Sequence, residues 1–313
     1  MISCINLLGG NNMNQTQDFT KGVIWKQLLF FFFPILIGSF FQQLYNTVDT
    51  IIVGRAVGTS ALAAVGSTGN LTNLIINFYV GLSTGASVVI AQYYGAQNNK
   101  KIHQAVHTSY SLAIVSGILM MLFGLFFSYQ CLDAIGTPHD ILNDATLYMQ
   151  LYFLCMIPGA IYNIGAGILR AVGDSKRPLY YLIICSIVNV VFDFIFVVIF
   201  HQGIAGAAIA TVIAQFVCAI LVTIQLMRTN EVYKLTLSKM KFHLPVLKKI
   251  IMIGAPAGIQ STMYSISNIV LQSHINAFGT QTIASWSVYV KIDALFWMMI
   301  AAIGAAITTF SGQ

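Results

Sequence analysis

Three acidic residues stand inside long apolar stretches of the chain: Asp49, Asp193 and Asp293. A carboxylate at the centre of a bilayer costs roughly 2.5–3.5 kcal/mol on insertion scales, so it usually faces a bundle interior and marks a functional site. Asp193 lies within the run 179–200, long enough to cross a membrane. Asn189 stands four residues before it, so on a helix the two side chains share one face. Asp49, Asn163 and Thr211 are the other polar groups whose depth matches theirs. Asp49 is 23 residues past Lys26, Asp193 is 16 past Arg177, and Asn163 is 13 before Lys176. Two carboxylates, two amides and a hydroxyl form an oxygen-rich set, suited to a hard cation. A carboxyl pair in a dry site also takes up and releases protons. The alternative is polar glue between helices, worth about 0.6 kcal/mol per interhelical hydrogen bond. That accounts for a lone Asn163 or Thr211 better than for two aspartates on different spans.

Further polar groups punctuate the same stretches. Gln42 and Asn46, with Gln43, lie on the first span, Gln260 on the seventh and Lys291 on the eighth. Gln42, Asn46, Gln260 and Lys291 are the candidates for lining a substrate cavity. Lys291 and Asp293 are two residues apart and point to different faces, so they do not pair with each other.

The elements that must position these groups are membrane helices. Hydrophobic residues make up 57% of the 313, charged residues 8%, and mean hydropathy is +0.79. That composition defines an all-α polytopic membrane protein. Eight spans are expected, at about 25–53, 60–84, 102–128, 146–170, 178–200, 204–227, 247–276 and 280–311. Pro34 should kink the first, and Pro158 and Pro256 lie inside the fourth and seventh. Thirteen of the fifteen basic residues fall in the N-terminal segment or after the second, fourth and sixth spans. This bias puts the N-terminus in the cytoplasm. The net charge of +6 is therefore topological, and nucleic acid is not an expected partner.

Four segments follow: a tail 1–24, a six-helix lobe 25–228, a basic linker 229–246, and the start of a second lobe at 247–313. Pro34, Ser39 and Asn46 recur 222 residues later as Pro256, Ser261 and Asn268. Gly58-Thr59 and Ala63 recur 221 later as Gly279-Thr280 and Ala284. Both helix pairs begin on the same side, so the repeats are parallel. A second lobe like the first needs six helices and has two here, so the chain reads as truncated, with 8 of an expected 12. Met13 is an alternative start.

Several chemistries are excluded. No G-x-x-x-x-G-K-[ST], nucleophile elbow or H-E-x-x-H is present, so the chain is not read as an enzyme, and an ion gradient or a partner chain must drive any work. Five cysteines lie scattered without C-x-x-C, so neither a disulfide framework nor a zinc site is expected. Gly81-x-x-x-Gly85 and Gly254-x-x-x-Gly258 are read as helix-packing motifs.

Five stretches together resemble the multidrug and toxic compound extrusion (MATE) family. They are Pro34 through Asp49 to Gly54; Gly58-Thr59-Ser60-Ala61-Leu62-Ala63-Ala64-Val65-Gly66; Gly81-Leu82-Ser83-Thr84-Gly85 leading to Ala91-Gln92-Tyr93-Tyr94-Gly95-Ala96; Gly167-Ile168-Leu169-Arg170-Ala171-Val172-Gly173-Asp174; and Asn189-x-x-x-Asp193 with Gly203-Ile204-x-Gly206-Ala207-Ala208-x-Ala210-Thr211. The resemblance covers about 20–313 and looks DinF-like. It implies a twelve-helix antiporter of two lobes in a bacterial-type cytoplasmic membrane. Such a protein exports drugs and organic cations by alternating access, against inward H+ or Na+, without a cofactor. It implies a coupling-ion site of Asp49, Asn189, Asp193, Thr211, Asn163 and Tyr148. No acidic residue matches the second-lobe site of other branches, since Gln260 and Leu271 carry no charge. The four absent helices leave transport dependent on a second lobe or a second copy. The alternatives are a flippase of lipid-linked oligosaccharides from the same superfamily and a truncated chain without transport of its own.

Overall fold

The computed structural model describes residues 24–276 and 280–313, apart from some side chains within the helices, Lys291 and Ala284 among them. The expected tail, with Lys21 and Met13, and the turn at Gly279 lie outside these residues. Nine α-helices follow in order: α1 (Ile24–Ala56), α2 (Thr59–Gly95), α3 (Asn99–Ala134), α4 (His139–Phe153), α5 (Met156–Ala171), α6 (Lys176–Asp193), α7 (Gly203–Arg228), α8 (Leu244–Asn276) and α9 (Thr280–Gly312). A π-helix, Phe194–Ile199, continues α6. Six single helices are long and apolar enough to cross a membrane, and the bent pair α4–α5 makes a seventh. Among the described residues α8 does not reach that hydropathy. Gln260, Ser261, Thr262, Ser265, Ser267 and Asn268 dilute it.

The expected fourth span is two helices meeting at 45°, rather than one helix with a proline inside. The break falls at Leu154–Cys155, four residues before Pro158. A proline ring clashes with the carbonyl four residues back, here that of Leu154, and offers it no N–H. The backbone tightens there, with Leu154 N–H donating to Leu151 O at 3.1 Å and Cys155 N–H to Tyr152 O at 3.0 Å. Pro34 and Pro256, in contrast, lie within unbroken helices. Asn98 caps α3 by accepting from Lys101 N–H at 3.1 Å. Gly173 turns the chain after α5 at φ 89°, where a side chain would be strained.

The core lies between α2, α3, α5 and α7, where Val89, Ile90, Val106, Ile168 and Val222 are fully buried. The basic segment after α7 contributes Tyr233 and Leu235 to this core, and Leu235 N–H donates to Leu226 O at 2.8 Å. Phe31 is buried against Ala306 of α9, while Phe30 and Phe33 are exposed. The two small-residue motifs pack on each other. A methyl on Gly85 would stand 2.5 Å from Ile250 O and 2.6 Å from Gly254 N, and one on Gly81 would collide with Gly258. Close backbone approach of this kind is what small-xxx-small motifs permit. Asn77 on α2 adds a 3.0 Å hydrogen bond to Ser265 on α8.

Cys185 on α6 and Cys218 on α7 are paired as a disulfide, with Cα atoms 5.9 Å apart. Sequence spacing carried no sign of it, because the pairing arises only from two neighbouring helices facing each other.

Candidate functional site

Helix α6 buries its Asn189–Asp193 face completely, with Asn189 1% and Asp193 0% exposed. The α-helix then widens into the π-helix directly after Asp193. Such segments are rare and frequent at functional sites. Asn189 Nδ2 donates to Thr211 Oγ1 across to α7 at 3.4 Å, and the Thr211 hydroxyl in turn donates to Ala207 O at 3.1 Å. Both carboxylate oxygens of Asp193, Oδ1 of Asn189 and Oδ1 of Asp49 accept no hydrogen bond among the described residues. A buried ionised carboxylate without donors is strongly penalised. Four such oxygens on facing helices have the chemistry to hold a proton or a small cation. Asp49 lies within electrostatic reach of Asp193, and Tyr148 within reach of both. No cluster of three or more His, Cys, Asp or Glu suited to a metal ion occurs among the described residues.

This group adjoins a cavity of about 480 Å³ bounded by α1, α2 and α4–α7. Gln42, Asn46, Asp49, Tyr148, Asn163 and Thr211 all line it. Asn189 opens instead onto a narrow side chamber shared with Tyr45, Thr211 and Gln215. Asp193 lines neither, lying wholly within the packed lobe. Asn163 commits its amide to its own helix, donating to Gly159 O at 2.8 Å, so it borders the cavity without reaching the carboxylates.

Two expectations need correction or restriction. Gln260 lines no part of this cavity; it is exposed in a separate groove with Pro256, Met263, Tyr264 and Ser267. The reason is helical phase. Gly254 and Gly258 occupy the face of α8 turned to α2, and Gln260 points away from it. The Lys291 side chain lies outside the described residues.

Among the cavity residues that escaped sequence reasoning are Tyr45, Tyr152, Gln215 and Arg170. Two had a legible signal, since Tyr152 follows Tyr148 by four and Gln215 follows Thr211 by four, each on its partner's face. Tyr148 and Tyr152 stack with ring centroids 6.1 Å apart. Arg170 carried no such signal. Its position near Lys176 and Arg177 marked it as a loop charge, yet it lines the cavity, and no salt bridge to it occurs among the described residues.

Spanning helices around a polar cavity, with uncompensated oxygens in and beside its wall, define a multi-pass membrane protein of the transporter class. Its family follows from comparison with known proteins. The MatE family model matches residues 34–195, just over half of the 313, and the chain belongs to that family. It is 28% identical over 305 residues to the probable multidrug resistance protein YoeA of Bacillus subtilis (strain 168), covering 95% of this chain and 66% of that protein. It is 22% identical over 282 residues to the multidrug export protein MepA of Staphylococcus saprophyticus, covering 89% and 62%. A MATE crystal structure in the bent conformation superposes with a TM-score of 0.84 at 27% identity, over 91% of this chain and 64% of that one. The chain thus spans about two-thirds of the length of the relatives it matches. These relatives are named as transporters, not enzymes.

Proposed function

We propose that this chain supplies the ion-binding lobe and the seam of a secondary antiporter that exports drugs and organic cations in exchange for H+ or Na+. The observation that carries the reading is the set of four buried, unpartnered oxygens on Asp49, Asn189 and Asp193, beside a cavity of drug-sized volume. In this reading Asp193 and Asp49 hold the coupling ion. Asn189 orients toward it through its bond to Thr211, and Thr211 and Tyr148 complete the surround. Asn163 shapes the cavity wall, and Gln42 and Asn46 face the transported molecule. Ion binding removes the electrostatic penalty at Asp193 and Asp49 and lets α1 and α6 close on each other. Pro34 leaves α1 one hydrogen bond short and is where it yields. Closure empties the cavity outward, and release of the ion inward resets it.

The architecture that suits this reading is eight spans, 25–228 as one lobe, 229–246 as linker and 247–313 as the opening of a parallel second lobe of a twelve-helix body. Reciprocal packing supports it: α1 lies against α9 as α2 lies against α8, as a two-fold relation between the repeats requires. The charge bias supports a cytoplasmic N-terminus in a bacterial-type cytoplasmic membrane. A flippase of lipid-linked oligosaccharides would want a cluster of cations in the cavity. Among the described residues only Arg170 is basic there, which favours the exporter.

The test is ethidium efflux from cells carrying this chain, beside cells carrying it extended through a full second lobe, each also as Asp193→Asn. Efflux by the extended chain and its loss in Asp193→Asn is the expected result. Undiminished efflux by Asp193→Asn would reject the assigned site. Efflux by the 313-residue chain alone would show that two copies, or the lobe itself, suffice.

A further inference from the structure

At the end of the bundle where the basic residues gather, the segment after α7 folds back onto the start of α3. Polar contacts at two adjacent α3 residues pin it there. His107 is fully buried; its Nδ1–H donates to His103 O at 2.7 Å and its Nε2 accepts from Thr236 N–H at 3.0 Å. One neutral tautomer satisfies both bonds. One residue further on, Thr108 Oγ1 accepts from His243 N–H at 3.2 Å and donates to Lys241 O at 3.4 Å. The chain between them, 237–242, is thereby held open as the wall of a groove. That groove encloses about 390 Å³ and is lined by Lys100, His103, Lys239, Lys241 and His243 with Gln104 and Ser238. No carboxylate is among its lining residues. The three lysines are exposed at its rim, and the two imidazoles are half-buried in its wall. Its neighbours are basic as well, since Lys101 and Lys249 hold their ammonium groups 5.5 and 5.4 Å from the Tyr93 ring centre.

Three like charges converging on one groove repel each other, and no acid in it offsets them. Arranging them at the membrane edge is favourable when an anion sits between them. Ring nitrogens, ammonium groups and a hydroxyl make up the donor set that a phosphate ester accepts from. The groove stands at the N-terminal end of α3, a helix long and apolar enough to cross a membrane. Basic pockets between spanning helices on the cytoplasmic side bind anionic headgroups. We propose that this groove is a binding site for the phosphate of an anionic phospholipid of the inner leaflet, held by Lys100, Lys239 and Lys241 with His103 and His243. A bound headgroup ties the segment 237–243 to α3 and so steadies the path from the first lobe into α8. Nothing in this depends on what the cavity carries.

The test uses the full chain purified into nanodiscs, one set of phosphatidylcholine alone and one with added phosphatidylglycerol. The readouts are the thermal midpoint and the lipids retained in native mass spectrometry. A triple variant Lys100→Gln, Lys239→Gln, Lys241→Gln removes the groove's charge. A control, Lys176→Gln, Arg228→Gln, Lys234→Gln, removes the same charge from the same face outside the groove. All six residues are exposed or peripheral, and helix content by circular dichroism checks that each variant is folded. Phosphatidylglycerol is expected to raise the midpoint of the wild type and of the control. It should leave the groove variant unchanged, with lipid affinity lower by on the order of a hundredfold for three lost charges. Equal lipid binding by the groove variant overturns the proposal. So does an equal loss in the control, which would mean diffuse surface attraction. A third arm adds inorganic phosphate to the phosphatidylcholine nanodiscs. Protection there equal to that by phosphatidylglycerol would assign the groove to a soluble phosphate and overturn the lipid assignment.

Discussion

Asp193 is the residue on which most rests. Its carboxylate has no donor among the described residues and no exposure, so its isosteric amide should fold at least as well and fail to couple. Asp193→Asn is expected to lower ethidium efflux by the extended protein at least about tenfold, with no fall in thermal midpoint. A variant that folds and pumps normally would mean the carboxyl is only packing. Thr211→Val removes the acceptor of the Asn189 amide. Its expected cost is about 0.5–1.5 kcal/mol of stability, read from thermal unfolding, together with a weaker response to the ion gradient. Outside the spans, Asp174 carries a pH signature. Burial raises its pKa above the ordinary carboxylate value, against the lowering effect of Arg177, whose Nη1 is 3.1 Å from Asp174 Oδ2. An acid whose folded pKa is raised binds its proton more tightly when folded. Its contribution to stability therefore grows as pH falls through that pKa and is lost on the alkaline side. Asp174→Asn keeps an oxygen for the Lys176 and Arg177 N–H groups and should flatten this acid-side gain. An unchanged pH profile of the thermal midpoint would place the titration elsewhere.

At the scale of elements, the α2–α8 seam is the strongest statement in the structure. Four glycines let two backbones touch, and any side chain at Gly81 or Gly85 must push them apart. Gly85→Leu is expected to cost about 1–3 kcal/mol or more by overpacking and to separate α8 from the lobe. Crosslinking between cysteines introduced at Asn77 and Ser265, now 3.0 Å apart at their side-chain tips, would report that separation. Retained crosslinking and an unchanged midpoint in Gly85→Leu would show that the seam is not tight. The small-residue spacing announced this contact as packing, because nothing else favours glycine four apart on two spanning helices. The bend between α4 and α5 was less legible. Pro158 was visible, but the break it causes lies a turn earlier, at the carbonyl its ring excludes. The π-helix after Asp193 had no visible signal, since Phe194–Ile199 reads as any apolar run.

At the scale of the whole molecule, two polar sites stand apart, with no lining residue in common. The unpartnered oxygens of Asp49, Asn189 and Asp193 lie on α1 and α6 by a cavity bounded by α1, α2 and α4–α7, and the basic groove stands where α3 and the segment after α7 meet. The lobe is closed by its own core, while α8 and α9 are attached along α2 and α1 and leave large apolar faces exposed, Met263, Tyr264 and Trp297 among them. Faces of that extent are covered by lipid or by further helices.

Class, the positions of most helices, charge asymmetry and the Asn189–Asp193 face were determined by sequence alone, because hydropathy, charge and helical spacing are local properties written at every position. The pairing of Asn189 with Thr211, the entry of Arg170 and Tyr45 into the cavity, the exclusion of Gln260 from it and the meeting of Cys185 with Cys218 were decided only in three dimensions. Each of these depends on how one helix is rotated against another. That rotation is set by the sum of many small packing contacts, and spacing along one chain does not encode it.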